Sequence, residues 1–220
     1  MAPLTLPLFP LPETVLFPHT LLPLHVFEPR YRAMLADCLA GKKRMVVVRL
    51  LPGWEREYSG RPPIHTVAGA GQVVEAERLP DGRSNILLEG FARVLIEEEL
   101  PAPGAYRLAR CRVLEDRLPD AGSAPIQRGL EALTASYLRL LREVGRGERA
   151  LSRLATEAPS PAALIDRVAS VVVVGAAQRQ RILETLDLGD RLGLVTAAVS
   201  EALLARYGGG DCAAEGGRWN

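Results

Sequence analysis

Apolar positions in the first half of this chain alternate or run unbroken, whereas in the second half they recur every three or four residues. That switch predicts strands followed by helices. Residues 44–51 (RMVVVRLL) predict a strand, because their valines are too densely β-branched for an easy helix. Residues 72–79 and 85–96 alternate and are separated by Pro80-Asp81-Gly82. This turn has a mechanism: proline presets φ, aspartate bonds its own backbone, and glycine accepts φ > 0. Gly90 lies inside the second of these strands and predicts a bulge or a sharp bend. Residues 106–114 predict one more strand. The opening stretch, with Pro7, Pro10, Pro18 and Pro23 set among leucines, phenylalanines and valines, predicts short edge or crossing strands, since proline cannot donate to a ladder. Short strands with proline and glycine at their corners suggest a coiled, barrel-like sheet.

One helix interrupts this half. Pro29 suits a first helical turn, Tyr31, Met34, Leu35, Cys38 and Leu39 follow at helical spacing, and Gly41 stands where a C′ residue belongs. In the second half Ser123-Ala-Pro125 opens a helix with the stripe Ile126, Leu130, Leu133, Tyr137, Leu140, Leu141 and Val144. A Gly/Arg-rich gap follows. Ser160-Pro161 is an N-cap and N1 pair, Leu164, Val168, Val171 and Val172 form the buried stripe, and Gly175 is the expected stop. A short helix through Ile182 and Leu183 leads to Asp187, a cap for a final helix carrying Leu192, Val195, Val199, Ala202 and Leu203 to Tyr207. The expected division is a β-barrel subdomain with one inserted helix at 1–116, a helical subdomain at 117–207, and a disordered tail at 208–220.

The remaining chemistry narrows the function classes. Basic and acidic residues number 27 and 26, with no block of like charge, so bulk DNA or anionic-membrane binding has no electrostatic support. Cys38, Cys111 and Cys212 are odd in number and far apart, and with His19, His25 and His65 they make no recognised metal spacing. That usage suits a reducing cytoplasm. The N-terminal stretch has no lysine or arginine before Arg30 and is broken by prolines, unlike a signal peptide, and the apolar run 169–177 is too short to span a bilayer. No phosphate-loop motif for ATP occurs, and the only lysines, Lys42 and Lys43, sit at a helix exit rather than in a desolvating pocket beside a serine. No Gly-x-Ser-x-Gly or His-Glu-x-x-His motif is present, and Glu97-Glu-Glu99 reads as a solvated strand end. These observations argue against an enzyme and call for no cofactor or metal.

Three phrases carry a family resemblance: the proline-rich opening through Phe27-Glu-Pro-Arg-Tyr31, the hairpin region 79–94, and Gln180-Arg-Ile-Leu-Glu-Thr-Leu-Asp187 followed by Arg191-Leu192. In order and spacing they resemble the N-terminal, substrate-binding domain of the Lon protease family, over roughly residues 4 to 206. The resemblance implies an α+β fold, a PUA-like β pseudo-barrel followed by a C-terminal helical bundle, of the sort found as stand-alone bacterial proteins without the ATPase and peptidase modules. One departure stands out. Where the family reads Gly-Thr-Val-Ala, this chain has His65-Thr-Val-Ala68 and then Gly-Ala-Gly.

Glu28, Pro29, Arg30, Tyr31, Gly82, Gly90 and Arg93 match the family's signature, and their plainer reading is structural. Glu28 complements a helix N-terminus, Arg30 bridges to the sheet, Tyr31 packs beneath it, and Arg93 ties a strand to a neighbour. Trp54 and Tyr58, aromatic residues in a polar loop, are candidates for a partner-binding tip or for a cover over the barrel. The sheet edge near Phe9 and Phe17 is the next candidate. The resulting expectation is a non-enzymatic module that binds unfolded or extended polypeptide segments, with a protease, a chaperone or a second copy as further partners. An RNA-binding PUA-like module is the alternative.

Overall fold

The computed structural model describes residues 3–57, 60–102, 104–118, 123–145 and 148–207. The chain divides into two compact units, one of residues 1–117 with 174–187 and one of residues 118–173 with 188–220. The expected tail at 208–220 and Tyr58 lie outside the described residues.

In the first unit six strands form one mixed sheet: β1 (Leu4–Leu11), β2 (Leu21–Val26), β3 (Arg44–Arg49), β4 (Val67–Arg78), β5 (Ser84–Leu100) and β6 (Arg107–Leu114). Their order is β2-β5-β4-β3-β1-β6, and β5 pairs again with β6, closing five strands into a ring with β2 outside it. The length of β5 makes this closure possible. Its first half pairs with β2 and its second half with β6, while β4 runs along both halves. β3 lies parallel to β1 and buries both faces, with Met45 and Val47 in one apolar cluster and Val46 and Val48 in another. That is why its valines run unbroken instead of alternating.

Between β1 and β2 the chain crosses the sheet. Val15, Leu16 and Phe17 are buried, and the crossing requires glycines beneath it. A Cβ on Gly69 would lie 2.0 Å from the Leu16 carbonyl oxygen, and one on Gly90 would lie 2.1 Å from that of Phe17. The crossing is pinned by His19 N–H to Gly90 O (2.7 Å), Gly90 N–H to Thr20 O (2.9 Å), and Thr20 Oγ1 to Phe17 O (2.7 Å). The irregularity expected at Gly90 is a register shift: Gly71 faces Gly90 and Ala70 faces Ala92, leaving Phe91 unopposed.

Helix α1 (Pro29–Ala40) begins at the predicted proline and buries Tyr31, Met34, Leu35 and Cys38. Gly41 does not take the left-handed C′ conformation. Its φ is −108°, and Lys43 two residues later carries the positive φ of 57°. The reversal comes at Lys43, whose N–H bonds the Cys38 carbonyl at 2.9 Å. Burial pushes the Cys38 thiol up to about 11, and Cys111, inside β6, likewise. At pH 8 roughly one thiol in a thousand would then be ionised. A thiol alkylating reagent is therefore expected to leave both cysteines unmodified in the native protein and to modify both after denaturation, read by mass spectrometry of the cysteine peptides.

Helix α5 (Ala176–Glu184) belongs to this same unit, although the sequence suggests one continuous helical half. It is held from beneath: Gln180 Nε2 donates to Val67 O at 2.9 Å, and buried Arg93 donates to Leu183 O at 3.1 Å while facing Asp116 at 3.7 Å. The chain returns to the barrel through a bridge between Arg117 and Asp187. Gly175 is not a stop but the N-cap position of α5, since α4 has already ended at Val172.

The second unit holds α2 (Ala124–Val144), α3 (Glu148–Thr156), α4 (Pro161–Val172) and α6 (Leu188–Tyr207). Helix α3 occupies part of what the sequence presents as a gap. Arg167 Nη1 accounts for its end, capping the carbonyls of Leu154 (3.3 Å) and Glu157 (3.1 Å). Ser160 caps α4 as expected, its hydroxyl accepting from Ala163 N–H at 3.2 Å. The expected stripes are buried in their middles: Leu130, Leu133, Tyr137, Leu140 and Leu141 on α2, Leu192, Val195 and Val199 on α6. Inside this apolar unit Arg191 and Asp166, 0% and 1% exposed, face each other at 3.4 Å.

Candidate functional site

Two of the signature residues, Arg30 and Tyr31, meet the polar loop at one cleft of the first unit. It measures about 270 Å³ and is lined by Pro10 of β1, Arg30 and Tyr31 of α1, Leu50, loop residues Gly60 to Pro62, and Tyr106 and Arg107 at the start of β6. Each wall has a local cause. Pro29 fixes the start of α1, so Arg30 and Tyr31 leave the helix at its first turn, where Tyr31 packs its ring 4.5 Å from Phe9. Arg30 pairs with Glu28 at 2.9 Å and lies 4.7 Å over the Tyr31 ring, which ties the Glu28-Pro-Arg-Tyr31 phrase together.

The other walls are equally self-satisfied. Arg107 forks onto Glu99 through Nε and Nη2 and donates from Nη1 to Pro62 O at 2.7 Å. The Arg107 hydrogen bonds to Glu99, with the Arg107 charge behind them, hold the Glu99 carboxyl below the usual range. Tyr106 donates its hydroxyl to Asp37 at 2.8 Å, and this bond raises its pKa. Glu97-Glu-Glu99 is therefore no merely solvated strand end. The three carboxylates face Arg112, Arg110 and Arg107 across the β5–β6 ladder.

The structure separates the sequence's binding candidates. Trp54 is half-buried in a 3-10 turn (Trp54–Glu57) that leads toward the cleft's loop wall. Phe9 and Phe17 are not on an edge. They are 4% and 1% exposed, because β1 is paired on both sides and Phe17 lies in the buried crossing. Closure of the ring consumed the edge that the N-terminal prolines suggested. Gly82, at φ +81°, makes the predicted hairpin turn, and Arg93 ties the sheet to α5.

Of the histidines, His25 bonds Asn85 at 2.8 Å, and His65 bonds Glu184 at 3.1 Å and Arg49 at 3.4 Å. His65, the departure from the family pattern, thus adds a polar tie between the barrel and α5. Among the described residues no group of three His, Cys, Asp or Glu is arranged to hold a metal, and no helix is long and apolar enough to cross a membrane.

The free edges are elsewhere, and sequence reasoning missed them. β2 pairs on one side only. Since Gly90 N–H bonds Thr20 O, alternation turns the backbone of Leu22, Leu24 and Val26 toward β5 and that of Leu21, Pro23 and His25 outward. Pro23 therefore places its missing N–H on the open edge, which blunts that edge against strand addition. β4 is free beyond Val73, where β3 has ended. There a second groove, of about 410 Å³, runs between α1 and the hairpin and is lined by Arg32, Leu35, Ala36, Leu39, Ala76 and Arg78, with Gly82 and Ser84 at its end.

A sheet ring of this order, carrying α1 and α5 and continuing into a helical unit, defines an α+β protein of the Lon N-terminal fold. Solved structures that share it include the N-terminal domain of the Mycobacterium avium complex Lon protease, at TM-score 0.65 and 21% identity over 90% of this chain and 98% of that one, and a Lon N-terminal domain protein from Xanthomonas campestris, at TM-score 0.56 and 22% identity over 88% and 98%. The family model for the ATP-dependent protease La (LON) substrate-binding domain matches residues 5–201, and the chain belongs to that family. Among relatives, the Lon protease of Xanthomonas oryzae pv. oryzae is 31% identical over 200 residues, 89% of this chain and 23% of the relative. That of Anaeromyxobacter dehalogenans is 30% identical over 197 residues, 88% and 22%. The chain thus spans about a quarter of the length of these relatives.

Proposed function

We propose that this chain is a binding module for extended polypeptide segments, acting in substrate recognition without catalysing a reaction itself. The observation that carries the reading is the state of the charged groups around the 270 Å³ cleft: Arg30 is engaged by Glu28, Arg107 by Glu99, and Tyr106 by Asp37. Each of these pairings ties a cleft group into the fold. The surface left for a ligand is that of Pro10, Leu50, Pro62 and the tyrosine rings, which suits an apolar side chain of a peptide. RNA, the alternative, is held through basic groups free to replace counterions along a phosphate backbone. Of the three arginines lining the cleft, Arg30 is engaged by Glu28 and Arg107 by Glu99, which leaves the exposed Arg61, 3.9 Å from Glu99, as a single cation where a phosphate backbone needs several.

Filling the cleft tests this. Ala105 is exposed at its rim, so Ala105→Trp adds bulk without touching the core. Binding of a fluorescein-labelled apolar peptide, followed by anisotropy, is expected to weaken about tenfold or more, the effect of losing one well-seated side chain. The melting temperature is expected to stay where it was. Unchanged affinity in a stably folded variant would move the binding surface away from this cleft.

A further inference from the structure

The second groove differs from the first in one respect: among the described residues its arginines have no acidic partner. Neither Arg32 nor Arg78 makes an ion pair or side-chain hydrogen bond among the described residues, although acidic groups stand close in sequence. Each of the nearest ones has a reason to be unavailable. Asp81 accepts from the Arg83 backbone and is paired with the Arg83 side chain. Glu77 accepts from Asn85. Glu75 is turned away by the backbone.

That turn is the decisive feature. In an unbroken strand Val73, Glu75 and Glu77 would share a face. The register instead slips between Val73 and Glu75, leaving Val74 as a bulge, so that Val73, Ala76 and Arg78 stand opposite Leu88, Ile86 and Ser84 on the α1 side. The bulge removes two carboxylates from the groove and puts an alanine and an arginine in their place. The floor is apolar, from Leu35, Leu39 and Ala76, and Arg32 lies so close over the turn that a methyl on Gly82 would come within 2.2 Å of its Nη2.

The groove also has an open backbone edge. Leu79 N–H bonds Arg83 O, so alternation makes Glu77 and Asn85 a bonded pair and directs the N–H and C=O of Ala76 and Arg78 away from β5. Among the described residues no backbone bond fills those positions, and no proline interrupts them, in contrast to β2.

We propose that this groove takes an extended polypeptide segment that adds alongside β4 at Ala76–Arg78 and places an aspartate or glutamate side chain between Arg32 and Arg78, with apolar neighbours on Leu35 and Leu39. The inference rests on the peptide-binding reading above and adds to it a preference for acidic-apolar segments. A single carboxylate suits two arginines standing over an apolar floor.

The test uses three fluorescein-labelled peptides of alternating valine and leucine that differ only in a central glutamate, glutamine or lysine, and a fourth, glutamate peptide N-methylated at alternate amides. The unaltered protein is expected to bind the glutamate peptide about tenfold or more tighter than the lysine peptide, a usual size for one charge-assisted contact. N-methylation should remove most of the binding. Arg32→Glu with Arg78→Glu should invert the preference, and both residues are exposed, so the fold should tolerate the change. Equal binding of the three peptides, with the double variant unchanged, would overturn this inference and leave the peptide-binding reading standing. Failure of all peptides to bind would remove that reading and this inference together. Loss in the variant of RNA binding or of self-association, with no change in peptide preference, would also overturn it.

Discussion

Gly69→Ala and Gly90→Ala are each expected to destabilise the barrel unit by about 3 kcal/mol or more, at or beyond the upper end of ordinary overpacking. The added methyl would meet a backbone carbonyl oxygen, at 2.0 Å over Gly69 and 2.1 Å over Gly90, and no rotamer change relieves a contact with backbone. Relief would require lifting the 15–18 crossing away from β4 and β5. That would expose Leu16 and Phe17 and break the bonds at His19 and Thr20. Urea denaturation followed by circular dichroism measures the loss. Gly53→Ala is the control, because nothing lies within 4 Å of a Cβ there and only its φ of +88° opposes the change. A Gly69 variant no less stable than the Gly53 variant would show that the crossing yields easily.

The second large effect belongs to the helical unit. Asp166→Ala is expected to cost about 3–5 kcal/mol, because it leaves the Arg191 guanidinium buried without its carboxylate. The pair itself need not be strongly stabilising, since both ions lose their hydration. Asp166→Leu combined with Arg191→Met should therefore recover much of the loss. Comparing the single and double variants in one denaturation series isolates the coupling. A single variant as stable as the parent would mean that Arg191 finds another anion or water in its place.

The elements legible in the sequence are those whose cause is local. Pro29 starts α1, Pro80-Asp81-Gly82 makes the hairpin, Ser160 caps α4, and the valines of β3 report a strand buried on both faces. What could not be read depends on partners far along the chain. Phe9 and Phe17 look like edge residues until β6 and the glycines of β4 and β5 cover them. Helix α3 did carry a signal, Leu151, Leu154 and Ala155 at helical spacing, but the glycines and arginines before it hid the pattern. The bulge at Val74 was hidden differently. The doublet Val73-Val74 interrupts the alternation over 72–79, but only the register with β5 reveals the slip that decides which charges face α1. Of the signature residues, Arg30 and Tyr31 stand together on one wall of the first cleft. The groove arginines could not be singled out in the sequence, since a missing partner is a property of the folded chain.

The closure of the ring also sets a timetable for synthesis. β1 leaves the ribosome roughly a hundred residues ahead of β6, the strand that covers its second side. At ordinary elongation rates of about 5–20 residues per second, that is about 5–20 s during which an apolar strand waits half-paired. The prolines at positions 7 and 10 occupy that strand throughout the wait. Because proline cannot donate to a ladder, they make the waiting strand a poor template for another nascent chain, so they serve the growing polypeptide as well as the finished one.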